Sequence, residues 1–509
     1  MNPAGAPALV PTRAPIRRRP LGRTIGHVGL ALTVAFAGLA LGAGYWQVLR
    51  SPDLSRAPDN PAVIAAARNV VRGAIVDRDG KVLAANKRDK NGEPYRTYAD
   101  RAFSTVVGYA SRQYGTAGLE RSWNAELTGV SNGNAIGDVL RKFQTDPYDP
   151  QKLTLGIMSA LQDAAVKGLG SDRGAVVMID PTTGEILALA STPTYDASAI
   201  AAPDPDTEDA GFAAVRDNKA QPLLTRATQG QYVPGSVFKI VTAIAGLGSG
   251  RITPTTTYPE QPKAENDGLL VQGFRVHEHP GVPARSFDLV TATEWSSNIW
   301  YALTGLRTGG DNLASFAGRM GFGAPIPFDL PTQPSQVTNP GGGGPGGFSD
   351  QVELANASYG QAETLVTPLQ MALVACTVAN DGTLMKPHLV IATTGRDGTR
   401  RIQPAELGRV IGPEEANAIA AAMQGAVESS IGRQFTTGAK VAGIPTAGKS
   451  GTAELGGSGA PHSWFIGFAP VDHPQVAIAV IVEQGGRGGA RAAPLAGDLM
   501  TLFFKLAKP

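Results

Sequence analysis

The stretch Gln231-Tyr232-Val233-Pro234-Gly235-Ser236-Val237-Phe238-Lys239 leads into a segment that is apolar on every side: Ile240, Val241, Ala243, Ile244, Ala245 and Leu247. Such a pattern predicts a buried helix with Lys239 inside it. An unpaired buried ammonium costs several kcal/mol or gives up its proton more readily than in water. Ser236 and Lys239 are three positions apart and share one helical face. A hydroxyl beside a lysine of lowered pKa is an activated nucleophile. Pro234-Gly235 predicts a turn into the first helical turn, where free N–H groups and the positive dipole end suit a developing oxyanion. S-x-x-K alone recurs by chance in long chains, so its meaning depends on the rest of the sequence.

Composition narrows the field. A chain of 509 residues has room for about two to three domains with cores of their own. With 42% hydrophobic and 17% charged residues it is globular rather than disordered. A net charge of +2 gives no case for a nucleic-acid partner. The 63 glycines and 38 prolines predict many turns and long loops. The one cysteine, Cys376, lies in the apolar run Met371–Cys376, which reads as a buried thiol and excludes an intrachain disulfide.

Residues 1–24 carry Arg13, Arg17, Arg18, Arg19 and Arg23 and no acidic residue; Ile25–Leu49 is then almost uninterruptedly apolar and ends near Tyr45-Trp46. At about 1.5 Å per residue such a run reaches about 37 Å, enough to cross a hydrocarbon core of about 30 Å. The arginines mark the cytoplasmic side, and the aromatic pair suits the far interface. A retained single-pass anchor is expected, rather than a cleaved leader with the small residues Leu41-Gly42-Ala43 at its site.

Beyond the anchor the texture changes twice. Residues 50–170 read as a mixed region with short strands, one over Val70–Asp77, and a helix over Leu153–Leu169. From residue 171 a hairpin is predicted: strand Gly174–Asp180, turn Pro181–Gly184, strand Glu185–Ala190. Ala202–Asp217 is polar and reads as a surface loop, and the glycine run at 341–347 as a flexible loop or linker. Val476–Val482 predicts a strand and Ala492–Leu506 a closing helix.

Two further constellations carry chemistry. In Glu294-Trp295-Ser296-Ser297-Asn298 a hydroxyl and a carboxamide two positions apart can reach one cleft from a loop at a helix start; helix capping explains the same residues. In Ala447-Gly448-Lys449-Ser450-Gly451-Thr452-Ala453-Glu454 a strand would offer a cation, two hydroxyls and a glycine that admits close approach, against the plainer reading of a lysine in a glycine-rich turn. His277-Glu278-His279 has no further ligands near it in sequence, so no metal is expected there.

S-x-x-K, S-x-N and K-[ST]-G, in that order, resemble the signature of penicillin-binding proteins and serine β-lactamases. Arg72-Gly73 with Asp77-Arg78, Gly118-Leu119-Glu120, Asp180-Pro181 with Gly184–Ala188, Tyr359-Gly360-Gln361 with Thr367–Ala372, and His462–Gly467 extend the likeness over roughly residues 60–505. Through these stretches the chain is identified as a member of the class B penicillin-binding proteins, monofunctional peptidoglycan D,D-transpeptidases.

That resemblance implies an α+β architecture: a cytoplasmic basic tail (1–24), a transmembrane helix (25–49), an elongated pedestal of dimerisation type (50–170) and a transpeptidase domain (171–509) built on an antiparallel sheet flanked by helices. It implies Ser236 as nucleophile, Lys239 as base, Ser296 as proton relay and Lys449 as the cation that keeps Lys239 neutral. Asn298, Ser450, Gly451 and Thr452 would bind substrate, with the N–H groups of Ser236 and Thr452 as oxyanion hole. No metal or organic cofactor is implied. The implied partners are peptidoglycan stem peptides, β-lactams, the membrane, a polytopic glycosyltransferase and division or elongation proteins, with no nucleic acid. Ser450 stands where many members have threonine. A D,D-carboxypeptidase, a β-lactamase-type hydrolase or penicillin sensor, and an inactive scaffold are the competing expectations.

Overall fold

The computed structural model describes residues 21–46, 71–129, 149–339, 341–456 and 459–507 of the chain, in two compact units. In the first, Leu21–Gly44 is one helix of 24 residues. Its Ile25–Gly44 segment exposes apolar side chains all round and is long and apolar enough to cross a membrane. Arg13, Arg17, Arg18, Arg19 and the end of the apolar run, Gln47–Leu49, lie outside the described residues.

The second unit holds a six-stranded and a five-stranded sheet. In the six-stranded sheet the strands 398–401, 390–395, 152–155, 75–76, 82–88 and 94–98 lie side by side in that order. Ile75–Val76 runs parallel to Lys152–Leu155, which pairs antiparallel with Val390–Gly395. The expected strand over Val70–Asp77 is thus shortened to Ile75–Val76, with Val70 outside the described residues. The expected helix over Leu153–Leu169 is corrected to a strand, Lys152–Leu155, and a helix, Ser159–Leu169. Gly156 divides them at a close approach: a Cβ there would sit 3.0 Å from the Ile186 carbonyl oxygen.

A buried ion-pair node ties this sheet to the helix Gly118–Ser122. Glu120 accepts from Arg72 Nε and Arg96 Nε, each at 2.6 Å. Burial works against the Glu120 carboxylate, yet the two guanidiniums hold it below the usual carboxylate range.

The five-stranded sheet has the order 447–453, 462–469, 476–482, 174–179, 186–192, antiparallel throughout. Both faces are covered. Val176, Met178 and Val480 pack with Leu161, Leu499 and Phe503 of the helices Ser159–Leu169 and Ala492–Leu506. Val177, Ile179 and Ile481 face the other core, shared with Ile240, Ile244, Leu373 and Cys376 from the helices Lys239–Gly248 and Pro368–Ala379. Alternation along each strand therefore feeds two apolar layers, which is why these strands read as continuous hydrophobic runs.

The polar stretch Ala202–Asp217 is not a loop but largely a helix, Pro205–Arg216. Its ends are written in its sequence: Asp204 accepts from Thr207 N, Pro205 opens the helix, Asp206 and Glu208 lie in the first turn and Arg216 in the last. Phe212 stacks on Tyr114 with ring centroids 3.9 Å apart, which gives this polar helix an apolar anchor.

Candidate active site

Ser236 lies in a 3-10 turn, Gly235–Phe238, that continues into the buried helix Lys239–Gly248. The turn is wedged against two backbones. Gly235 N–H donates to Gly360 O at 2.9 Å. A Cβ at Gly235, whose φ is +57°, would lie 2.6 Å from the Thr452 carbonyl oxygen. On the strand side, a Cβ at Gly451 would lie 2.8 Å from the Pro234 carbonyl oxygen, so glycine lets the strand Ala447–Ala453 approach the turn. Trp464 Nε1 donates to Val233 O at 3.0 Å and pins the approach to the turn from the neighbouring strand.

Lys239 is fully buried, as its apolar neighbours predict. Its Nζ reaches Ser296 O at 2.6 Å, Asn298 Oδ1 at 2.9 Å and Ser296 Oγ at 3.2 Å. Burial first, then the charge of Lys449, push its pKa well below the ordinary lysine value, while Glu278 pulls the other way. Ser296 sits between the helices Leu289–Trp295 and Asn298–Thr308 in the left-handed region, φ 55° and ψ 40°. A non-glycine residue there is strained and persists because its surroundings hold it. The capping reading of this stretch is also correct, but for the neighbour: Ser297 Oγ accepts from Trp300 N at 3.0 Å.

Lys449 is buried on its strand, and its Nζ donates to Ser450 O at 3.0 Å. Burial lowers its pKa to about 7. The charge of Lys449 thus favours loss of the proton from Lys239. Ser450 is buried, and Thr452, half-buried, accepts from Gly488 N through Oγ1 at 3.3 Å. The residues singled out in the sequence thus gather at one place: Ser236 and Lys239 on the turn and helix, Ser296 and Asn298 beside the amine, Lys449–Thr452 on the strand.

Glu278 is the residue that sequence reasoning passed over, dismissed as the middle of a histidine pair. Its carboxylate accepts from Asn298 N at 2.7 Å, Ile299 N at 3.0 Å and the Ser297 hydroxyl. The flanking histidines do something else: His277 O accepts from Asn298 Nδ2 at 3.0 Å, and the His279 ring meets Phe435 edge-on. Among the described residues, no group of three His, Cys, Asp or Glu side chains is placed to hold a metal ion.

A half-buried hydroxyl, a buried amine of lowered pKa, a second hydroxyl on that amine and a buried cation on the facing strand form an apparatus for acyl transfer through a serine ester. Comparison with known proteins leads the same way. Residues 174–501 match the family described as penicillin binding protein transpeptidase domain, and residues 72–148 the penicillin binding protein A dimerisation domain. The chain is 34% identical over 495 residues to the peptidoglycan D,D-transpeptidase PbpA of Mycolicibacterium smegmatis, covering 93% of this chain and 97% of that protein. It is 30% identical over 405 residues to the peptidoglycan D,D-transpeptidase MrdA of Acinetobacter baumannii, covering 74% of this chain and 58% of that one. Its fold is similar to the penicillin G acyl-enzyme complex of penicillin-binding protein A from M. tuberculosis, with a TM-score of 0.75 and 30% identity over 86% of this chain and 100% of that one.

Proposed function

Since the chain belongs to the penicillin-binding protein transpeptidase family, we propose how its residues divide the work of a serine D,D-transpeptidase that crosslinks peptidoglycan stem peptides and is acylated by β-lactams. The observation that carries the reading is the fully buried Lys239 amine, held by Ser296 and Asn298 and facing the charge of Lys449.

A neutral amine has two N–H donors and one lone pair. The two shorter contacts, to Ser296 O and Asn298 Oδ1, take the donors and leave the lone pair for the proton of Ser236. Ser236 Oγ attacks the carbonyl carbon of the penultimate D-Ala as Lys239 takes its proton. The oxyanion sits against the N–H groups of Ser236 and Thr452, each worth on the order of 100- to 1000-fold in rate. Collapse breaks the C–N bond, and the proton passes through Ser296 Oγ to the departing D-Ala amine. An acceptor amine then attacks the ester, forming the crosslink and returning the proton to Ser236. With a β-lactam the expelled nitrogen stays tethered, so the acyl-enzyme persists. Asn298 holds the substrate backbone through its free N–H. Lys449, with Ser450 and Thr452 and the close approach at Gly451, receives the terminal carboxylate.

In this reading residues 1–24 lie in the cytoplasm, residues 25–49 cross the membrane, and the pedestal (50–170) and transpeptidase domain (171–509) lie outside it. The apolar Ile25–Gly44 helix supports the anchor and the arginines before it the orientation. A polytopic glycosyltransferase and division or elongation proteins are the partners this placement suits, at the membrane helix and the pedestal.

The test is labelling by a fluorescent penicillin. Wild type should form a long-lived covalent adduct and Ser236→Ala none. Labelling of the variant would remove Ser236 from its role, and rapid decay of the wild-type adduct would favour the hydrolase reading.

A further inference from the structure

The Ser296–Asn298 turn carries the acceptors of Lys239 and is tied at its start to the preceding helix, Ser296 N donating to Thr293 O at 3.2 Å and Ser297 N to Ala292 O at 2.9 Å. Ser296 is in the left-handed region, and the next helix begins two residues later. A distant loop holds its other end. Both carboxylate oxygens of Glu278 are engaged, by Asn298 N at 2.7 Å, Ile299 N at 3.0 Å and the Ser297 hydroxyl. The helix they cap, Asn298–Thr308, has 11 residues, so an anion at its first turn also meets the positive dipole end. The same loop grips Asn298 through His277 O.

We propose that Glu278 is a positioning residue for acylation: it fixes the Ser296–Asn298 turn that holds the Lys239 amine and, among the described residues, supplies the negative charge that acts on that amine. The proposal rests on Lys239 acting as base. The other groups around Lys239 cannot take this part. Lys449 on the strand carries the opposite sign, and Ser296 and Asn298 do not titrate. The Tyr301 ring, 5.6 Å from Nζ, belongs to a phenol that burial keeps neutral, and Tyr359 is pushed up to about 12 by burial. A carboxylate near the amine stabilises its protonated form, so Glu278 raises the pH at which Lys239 becomes free to accept a proton.

Two effects follow, and they separate. Removing the charge while keeping the shape, as in Glu278→Gln, should shift the acid limb of the acylation rate of the full-length, detergent-solubilised protein to lower pH by roughly one unit. It should also lower the plateau rate several-fold, because an amide cannot accept from two N–H groups through both its ends. Glu278→Asp keeps the charge and should lower the plateau while leaving the limb in place. A cap with no electrostatic part would lower the plateau in both variants and move neither limb, which would overturn the proposal. So would an unchanged plateau in Glu278→Gln. If Glu278→Gln lost its thermal unfolding transition, Ser297→Ala would carry the test, since it removes one of the three donors to the carboxylate without removing its charge: the plateau should fall and the limb stay, and an unchanged plateau would overturn the positioning role. A wild-type rate with no acid limb would instead sink Lys239 as base, so the two failures are told apart.

Discussion

Gly235 and Gly360 meet backbone to backbone: the Gly235 N–H donates to Gly360 O at 2.9 Å, and a Cβ on Gly360 would fall 1.8 Å from the Gly235 carbonyl oxygen. Gly360, at φ +86°, is therefore barred from a side chain twice over, by conformation and by space. Gly360→Ala should cost at least about 1–3 kcal/mol of stability. By displacing the turn that carries Ser236 it should also slow penicillin labelling more than tenfold. Thermal unfolding and a labelling time course check both; a variant that labels at the wild-type rate would show that the turn is positioned by something else.

Lys239→Ala removes a buried amine rather than a packed hydrophobe. Acylation should slow by on the order of 100- to 10,000-fold, the usual reach of a general base. The cooperative melt should survive, since the amine is a burden to folding in that apolar setting. Stopped-flow or gel-based acylation at matched protein concentration measures the first, calorimetry the second.

The two lysines predict opposed pH effects for ligands that bear a carboxylate. Lys239 gains its proton as pH falls through its lowered pKa, and acylation is lost on that side. Lys449 loses its charge as pH rises through about 7, and carboxylate binding weakens on the other. A penicillin methyl ester should keep the acid limb and lack the alkaline one. Stability moves differently: from about 7 up to the ordinary lysine value near 10.4 the unfolded chain binds a proton at Lys449 that the native chain does not, so stability climbs with pH across that window. Melting curves over the same range measure that slope.

Glu120→Gln leaves Arg72 and Arg96 buried without their counter-charge. Breaking a buried pair on one side costs about 3–5 kcal/mol. The melting temperature should drop accordingly, with penicillin labelling retained below the melt because Glu120 makes no contact with Ser236 or its partners. Loss of labelling in a still-folded variant would show that the node reaches the active site.

Much of this was legible because the chemistry is local in sequence. Ser236 and Lys239 announce themselves by spacing and by a charge among apolar neighbours, and Lys449–Thr452 by a strand pattern broken with glycine. The helix Pro205–Arg216 is hard to read despite the start signal Asp204-Pro205, since a polar segment with few apolar residues has weak periodicity. Lys152–Leu155 reads as part of the following helix because a short apolar run looks alike in both states, and its strand partners lie far away in the chain. Glu278 was illegible for a stronger reason. Its function exists only once a loop is laid against residues 297–299, and no periodicity records that contact.

The hairpin Val390–Arg401 has a consequence for how the molecule comes into being. Its first strand completes the sheet begun by Ile75–Val76 and Lys152–Leu155, more than two hundred residues earlier in the chain. A chain delivered from its N-terminus presents Lys152–Leu155 long before its neighbour arrives. Until then that strand has an open edge, able to pair with another nascent molecule. The N-terminal sheet is therefore left with an exposed edge until the hairpin is made. Val390–Gly395 closes that edge only once most of the chain has been made.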